Sequence, residues 1–314
     1  MTTVSQSDTA PGVPSAADKH VVEGEITWTV RLAGAFIASL ILLAAALGVW
    51  RGLGSPLTGS AAAAQGLELA QVVLAAALIM LGSMVEGFGF GLALGTRWPY
   101  TRNILVLMLR GDPEAAHRVV ATGLSLVAVT LAILDPGFMT FLGLGLIIAT
   151  ALFGMGTLYV LAGRAPAFVH GSHGLLAYAV FLTYLVALIF PGVHLGLYLK
   201  YAVPLHALLL TVFIGGMVTG QRGFGQPIGA FYAPHKASQW VFVAHGASAL
   251  LVIGTLGWFM PAYPVAFALA LTQAAVGFFL FHAVNLRPRA PGTIVAFHQA
   301  MALLITTAIV MQWR

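Results

Sequence analysis

The chain has 314 residues, of which 60% are hydrophobic and only 7% are charged, and its net charge is +5. Because soluble domains carry about 25% charged residues, this composition excludes a water-facing globular surface and predicts an integral membrane protein. Long apolar runs suit helices rather than barrel strands, so we expect an all-α fold. The sequence contains no cysteine, which excludes disulfides and thiolate metal sites. No basic cluster with interleaved aromatic residues indicates nucleic-acid binding.

In chain order, residues 1–26 are polar and rich in Ser, Thr, Ala and Pro, which predicts a disordered tail. The first candidate transmembrane helix follows at 27–50. A spanning helix needs about 20 apolar residues, and Gly- and Pro-containing breaks separate the later apolar segments. Those segments are 67–94, 115–134, 137–162, 169–190, 197–220, 238–260, 262–285 and 294–312.

Two sequences in this chain occur twice. Arg-Ala-Pro is followed seven residues after the proline by a histidine, first at Pro166 and His173 and again at Pro291 and His298. Internal repetition of this kind indicates a duplicated structural unit.

The second duplicated sequence is Gly-x-Met-Val-x-Gly, which ends a helix at 82–87 and again at 215–220. In both cases the next long helix carries an early histidine, His117 or His245. We therefore predict two tandem four-helix bundles related by a pseudo-two-fold axis, with the helix at 27–50 standing outside the repeat. The predicted units are an N-terminal one at 66–190 and a C-terminal one at 197–312.

Within one unit, the two histidine-bearing helices cross the membrane in the same direction, so their imidazoles lie at the same depth. Two histidines at one level on bundle helices suit axial ligation of a haem iron. We predict two such sites, His117 with His173 and His245 with His298. His170 competes with His173 but has no repeat counterpart, because the equivalent residue is a valine.

Two other interpretations apply to these histidines. A single histidine near a helix end is usually an interfacial polar residue, but ionisable groups inside membranes are costly and tend to be functional. A zinc site would need three or four clustered protein ligands, whereas these histidines fall into two separate pairs.

These residues resemble the haem A synthase family. The segment EAAHR, Glu114 to Arg118, is similar to the family's Glu-x-x-His-Arg, and HQAMALL begins at His298. The loop VEGFGFGLALGTRWPY contains Trp98-Pro99 at the family's distance from the Gly-x-x-Val helix end. The resemblance covers about residues 66–312.

The resemblance implies oxidation of a haem O methyl group to a formyl group, which gives haem A for terminal oxidases. It implies that His117 and His173 hold the substrate haem and that His245 and His298 hold a haem b. It also implies a multi-pass protein of the cell membrane, haem O delivered by a haem O synthase, and a role in terminal oxidase assembly. Homo-oligomerisation is left open.

The resemblance assigns Glu114 as the catalytic carboxylate. Glu114 lies one helical turn before His117, so both share a helix face. The alternative is a helix-start role, because Asp112-Pro113-Glu114 is a typical helix N-terminus with an acidic first turn. The equivalent residue in the second unit is Phe242.

The sequence departs from the family at several positions. Leu94 and Thr101 stand where many members carry cysteines, Glu86 stands where arginine is frequent, and Gly246 follows His245 where arginine is common. These differences leave room for a second function, a non-enzymatic di-haem cytochrome that exchanges electrons with quinone. A transporter is disfavoured, because repeats with an even number of helices have parallel orientation and because the bundle core is expected to lack acidic residues.

The orientation in the membrane stays open at this point. The loops beside the histidines are rich in arginine, which places them in the cytoplasm by the positive-inside rule. The family resemblance implies haems towards the outer side instead, with arginines that pair with haem propionates.

Overall fold

The computed structural model describes residues 16–54, 57, 59–96, 98–99 and 103–312, and for 16–27 and 44 it describes the backbone alone. Every regular element in these residues is a helix, so the all-helical prediction is confirmed for the described chain. The eleven helices are α1 (Ala16–Leu53), α2 (Ser60–Gly87), α3 (Ile104–Leu109), α4 (Pro113–Leu134), α5 (Phe138–Leu161), α6 (Phe168–Ile189), α7 (Leu195–Tyr201), α8 (Val203–Arg222), α9 (Ala237–Trp258), α10 (Pro264–Leu286) and α11 (Ile294–Gln312).

Among the described residues, nine helices are long and apolar enough to cross a membrane, namely all except α3 and α7. The protein is therefore a multi-pass membrane protein by helix length and composition. The spans α2, α6 and α11 have the largest buried shares and lie towards the centre of the molecule. The main core cluster contains residues of these three spans and of α4, α5 and α7 to α10, and its large members include Tyr178, Phe181 and Tyr184.

Apart from the short helix α3, which the sequence does not predict, the structure differs from the sequence prediction in three main places. Helix α1 begins at Ala16, so residues 16–26 are helical although the sequence predicts a tail there, and residues 1–15 lie outside the described chain. Helix α2 ends at Gly87 rather than at 94, because the glycine-rich segment after it turns, with a positive φ at Gly89.

The third difference lies at 197–220, which forms two helices instead of one. The backbone leaves the helical conformation at Ala202, and Pro204 occupies the first turn of α8. Proline lacks the N–H that a helix interior requires, so it is tolerated in the first turn of a new helix.

The large helices pack as antiparallel neighbours. Helix α2 packs against α4, α5 against α6, α8 against α9, and α10 against α11. Two further contacts, α6 with α8 and α11 with α2, join the first half of these helices to the second. Each of these four pairs is a helical hairpin, and each candidate histidine lies on the second helix of its hairpin.

The duplicated sequences contact each other crosswise between the halves. Gly87, the last residue of the first Gly-x-Met-Val-x-Gly, accepts a 2.7 Å hydrogen bond from the N–H of Gly292, which follows the second Arg-Ala-Pro. Gly220, which ends the second Gly-x-Met-Val-x-Gly, packs against Ala167, which follows the first Arg-Ala-Pro; a Cβ at Gly220 would lie 3.0 Å from the Ala167 Cα. Small residues at both places let the backbones approach closely.

Helix α1 packs along α2 at a contact between two glycines. A Cβ on Gly48 would lie 2.8 Å from the Gly66 carbonyl oxygen. Close approach at small residues is a usual way for membrane helices to associate. The N-terminal helix is therefore docked on α2, away from the contact between α6 and α8.

Candidate functional site

Each of the four candidate histidines lies against a glycine on the other helix of its hairpin. Only a hydrogen occupies the glycine side-chain position, so the imidazole lies directly on the neighbouring backbone. The distances from an ideal Cβ on the glycine to the imidazole Cε1 are 3.2 Å for Gly82 and His117, 3.0 Å for Gly154 and His173, 3.0 Å for Gly215 and His245, and 3.6 Å for Gly277 and His298.

Two of these histidines are also held by a backbone carbonyl one turn before the glycine. The Nδ1 of His173 lies 3.0 Å from the Thr150 carbonyl oxygen, and the Nδ1 of His245 lies 3.2 Å from the Thr211 carbonyl oxygen. A carbonyl oxygen only accepts hydrogen bonds, so Nδ1 carries the proton in both rings. The lone pair of Nε2 is then available to a metal, which is the usual second-shell arrangement of a ligating histidine.

His117 has the same surroundings with a weaker contact. The carbonyl of Leu78, one turn before Gly82, interacts with the imidazole electrostatically. The Nδ1 of His117 nevertheless makes no hydrogen bond of good geometry, although the atom is buried. The ring therefore has the right neighbour for the Nδ1-protonated form but is less firmly oriented than His173.

His298 departs from the other three. The residue one turn before Gly277 is Gln273, and its side-chain Nε2 lies 3.1 Å from the Nδ1 of His298. The same nitrogen donates to the His298 carbonyl oxygen at 2.9 Å. An amide group thus replaces the backbone carbonyl at this one histidine.

One pair of histidines approaches closely. The rings of His245 and His298 have centres 6.4 Å apart and planes inclined at 58°. In the first half, both His117 and His170 lie near enough to His173 to interact with it electrostatically. A first-row metal lies about 2 Å from an imidazole nitrogen, and the ring centre lies roughly 1 Å behind that nitrogen, so two rings on opposite sides of one ion have centres about 6 Å apart. The separation of His245 and His298 is compatible with two axial ligands of one iron.

In the part of the chain that the structure describes, no three or more His, Cys, Asp or Glu side chains converge as a metal-holding group. A pair of imidazoles alone is too few for a closed zinc site. A haem iron, in contrast, receives four nitrogens from its porphyrin and needs only axial ligands from the protein. The four histidines have intermediate exposure, neither fully buried nor fully exposed.

Glu114 lies at the start of α4, one turn before His117, and is only 4% exposed. The helix cap is Asp112, whose Oδ1 accepts from the N–H groups of Glu114 and Ala115. The Glu114 carboxylate has other partners, since Oε2 accepts from the Leu94 N–H at 3.0 Å and Oε1 pairs with Arg118 at 2.5 Å. Through its bond with the Leu94 N–H, Glu114 therefore connects the loop after α2 to the start of α4.

Arg118 extends this link. Its second guanidinium nitrogen donates to the Pro99 carbonyl oxygen at 3.2 Å, so the guanidinium joins α4 to the Trp98-Pro99 segment. The sequence contains no local signal for these contacts, because Leu94 and Pro99 are separated from Glu114 by the loop and α3. Of these contacts, the sequence predicts only the ion pair between Glu114 and Arg118, through the Glu-x-x-x-Arg spacing.

A second ion pair connects the two halves on the same side of the molecule. Arg222, at the end of α8, pairs with Glu86, near the end of α2. The guanidinium also donates to the carbonyl oxygens of Gln226 at 2.7 Å and Pro288 at 3.1 Å. Arg222 thus has structural partners, which weakens its use as an orientation signal.

The remaining histidines near the helices have other neighbours. His170 precedes the duplicated position and lies beside α8, where its buried Nδ1 has no hydrogen-bond partner. His282 packs edge-on against Phe278 and Phe281, and His194 packs on Phe138. His170 meets a glycine through its Cβ, which would lie 3.1 Å from a Cβ on Gly220, whereas the four candidate histidines meet their glycines with the imidazole ring.

Sequence reasoning identified the four histidines but missed their immediate partners. The glycines on α5 and α10, Gly154 and Gly277, carry no local motif, and Gln273 is one polar residue in an apolar helix. A signal was available at Gly82 and Gly215, because both begin the duplicated Gly-x-Met-Val-x-Gly.

Comparison with protein-family models, with curated proteins and with solved structures finds no match to this chain.

Proposed function

We propose that the protein binds two haems, one between His117 and His173 and one between His245 and His298. The observation that carries this proposal is the fourfold recurrence of one arrangement, a histidine resting on a glycine across a helix hairpin. Hydrogen bonding of Nδ1 to a backbone carbonyl at His173 and His245 supports it, because this leaves Nε2 as the ligating atom.

The fold belongs to the same proposal. We infer two tandem four-helix bundles, α2 with α4 to α6 and α8 to α11, related by a pseudo-two-fold axis, with α1 as an addition. The crosswise contacts of Gly87 with Gly292 and of Gly220 with Ala167 support this relation, because equivalent residues make both. The bundles correspond to the sequence units 66–190 and 197–312.

The proposed activity is that of the haem A synthases that the motifs resemble, oxidation of a haem O methyl group to a formyl group in the cell membrane. The bound haem supplies the redox chemistry of its iron. The N-terminal site would hold haem O and the C-terminal site haem b as an electron relay. The product would serve terminal oxidases, with haem O received from a haem O synthase.

An asymmetry between the halves supports one reactive site and one relay site. Glu114 is a buried carboxylate one turn from His117, whereas Phe242 occupies the equivalent position and stacks on Phe281. A buried carboxylate is costly unless it is paired or used. Glu114 is paired with Arg118 next to the proposed substrate site, where its carboxyl group could exchange a proton or hold an oxidised group.

Substitution of Glu114 by Gln tests the activity. Gln retains the side-chain size and an acceptor for the Leu94 N–H but removes the charge. We expect two bound haems and a haem A yield reduced by roughly a hundredfold or more, the range for loss of an acid–base group. The measurement is chromatography of haems extracted from cells that make haem O and the protein, with Glu86→Gln as the control for a second paired carboxylate.

The second candidate function is a di-haem electron carrier. The observation that favours it is that both Glu114 oxygens already have structural partners, Leu94 and Arg118. In that case the wild-type protein contains two haems, is reduced by a quinol and makes no haem A under oxygen. Normal haem A from Glu114→Gln would instead reject the catalytic role of Glu114 and retain the enzyme.

A further inference from the structure

The four histidines do not carry their ring proton on the same nitrogen. At His173 and His245 a backbone carbonyl faces Nδ1, and a carbonyl oxygen can only accept, so Nδ1 is protonated. At His298 the group that faces Nδ1 is the side-chain amide of Gln273. The proton position at His298 therefore depends on which end of that amide lies there.

The contact with the His298 backbone decides this orientation. The amide atom at 3.1 Å from Nδ1 also lies 2.9 Å from the His298 carbonyl oxygen. Two oxygens at that distance would repel each other, so the atom is the NH2 nitrogen, which has two hydrogens to donate. One hydrogen goes to the carbonyl oxygen and the other to Nδ1.

An Nδ1 that accepts a hydrogen bond in a neutral imidazole leaves the proton on Nε2. Nε2 is the atom that His173 and His245 keep free for a metal. For His298 to bind an iron, the proton must move from Nε2 to Nδ1, and Gln273 must turn away its NH2 group. The ring stays neutral in this exchange, and one hydrogen bond to Nδ1 is exchanged for another or lost.

We propose that Gln273 is a positioning residue that holds His298 in the Nε2-protonated form and so makes it the exchangeable axial ligand of the C-terminal haem, with His245 as the permanent one. This inference rests on the proposed haem site. It gives the relay haem a coordination position that a small external ligand can enter in competition with His298.

The repeat suggests a variant that removes the contact between the Gln273 amide and His298. The positions equivalent to Gln273, one turn before the glycine, are Leu78, Thr150 and Thr211, and at Thr150 and Thr211 the backbone carbonyl binds the histidine. Gln273→Thr reproduces that sequence and exposes the residue 273 carbonyl to Nδ1. Gln71→Thr is the matched control, because Gln71 is a buried amide that donates to the Leu124 carbonyl oxygen instead of to a histidine.

The experiment titrates the purified oxidised protein with cyanide and imidazole and follows the haem absorption spectrum. We expect Gln273→Thr to weaken binding of the external ligand by about two- to twelvefold, which corresponds to the contribution of one hydrogen bond. Its spectrum should also contain less of the high-spin, five-coordinate form, and Gln71→Thr should match the wild type. Equal affinities in the wild type and Gln273→Thr would overturn the inference.

A second measurement separates this inference from the proposed function. In haem-free protein labelled with 15N-histidine, nuclear magnetic resonance reports the protonated nitrogen, and His298→Ala assigns the signal. We expect Nε2 protonation at His298 in the wild type and Nδ1 protonation in Gln273→Thr. If the wild-type protein binds no haem but the ring proton of His298 still moves between the wild type and Gln273→Thr, the haem site is rejected and the role of Gln273 stands. Nδ1 protonation of His298 in the wild type would reject the role of Gln273.

Discussion

The two histidine pairs share a scaffold and differ in the residues added to it. Each histidine in both pairs rests on a glycine of the neighbouring helix. The first pair adds a buried Glu114, tied to Arg118 and the loop after α2, and the second pair adds Gln273 at His298. The comparison teaches that the glycine and histidine positions fix where a ring lies, while a few polar side chains decide what each site can do.

The two junctions between the halves show the same pattern. Both contain a contact between a terminal glycine and the residue after Arg-Ala-Pro. The first junction adds the ion pair of Glu86 with Arg222, whereas the residue equivalent to Glu86 in the second half is Thr219. Close backbone contact is thus common to both junctions, and a charged link supplements only the first.

The largest expected effect comes from removing a histidine that we propose as a haem ligand. His245→Ala should lose the C-terminal haem and retain the N-terminal one, and His117→Ala should have the reciprocal effect. His298→Ala should keep a haem on His245, because Gln273 already weakens His298 as a ligand. Haem content per protein, measured as the pyridine complex, distinguishes these outcomes. Loss of both haems in each variant would indicate a single coupled site and contradict the comparison.

A smaller effect is expected at the charged junction. Glu86→Thr gives the first junction the residue of the second and leaves Arg222 with two carbonyl partners. We expect the free energy of unfolding to fall by about 2 kcal/mol, as for a lost hydrogen bond to a charged group. Thermal unfolding in detergent measures it, with Glu68→Thr on the same helix as a control outside this ion pair. A Tm equal to that of the control would show that the backbone contacts suffice.

The last comparison is between the two glycines of the second pair, where one substitution should have a modest effect and the other almost none. A Cβ at Gly215 would lie 3.0 Å from His245, so Gly215→Ala must push the ring from the Thr211 carbonyl, at a cost of about 1–3 kcal/mol. A Cβ at Gly277 would lie 3.6 Å from His298, an ordinary contact, so Gly277→Ala should be tolerated. The measurement is the rate of haem transfer to apomyoglobin, with Gly254→Ala as the control in open space.

Of these three variants, we expect only Gly215→Ala to lose haem faster than the wild type. Equally fast loss from Gly277→Ala would mean that His298 rests on α10 as tightly as His245 rests on α8, which would remove the difference between the two rings.

Much of the fold could be predicted from the sequence, because its causes are local. A span of about 20 apolar residues reports a crossing helix directly, and Asp112-Pro113 marks the start of α4 by its cap. The four histidines were found because the duplicated motifs place them at matching points. Helices α3 and α7 were missed, since they are short helices of six and seven residues inside segments that hydropathy assigns to a loop or to part of a longer span.

The sequence by itself determined a helical membrane protein with paired, early-helix histidines. The tertiary structure decided which atom each of these side chains meets. Glu114 binds Leu94, and His298 meets Gln273 instead of a carbonyl, because α4 and α11 face their neighbours at one particular rotation and depth. Helix rotation depends on close packing at glycines such as Gly154 and Gly215, which is a property of two surfaces in contact and not of either segment alone.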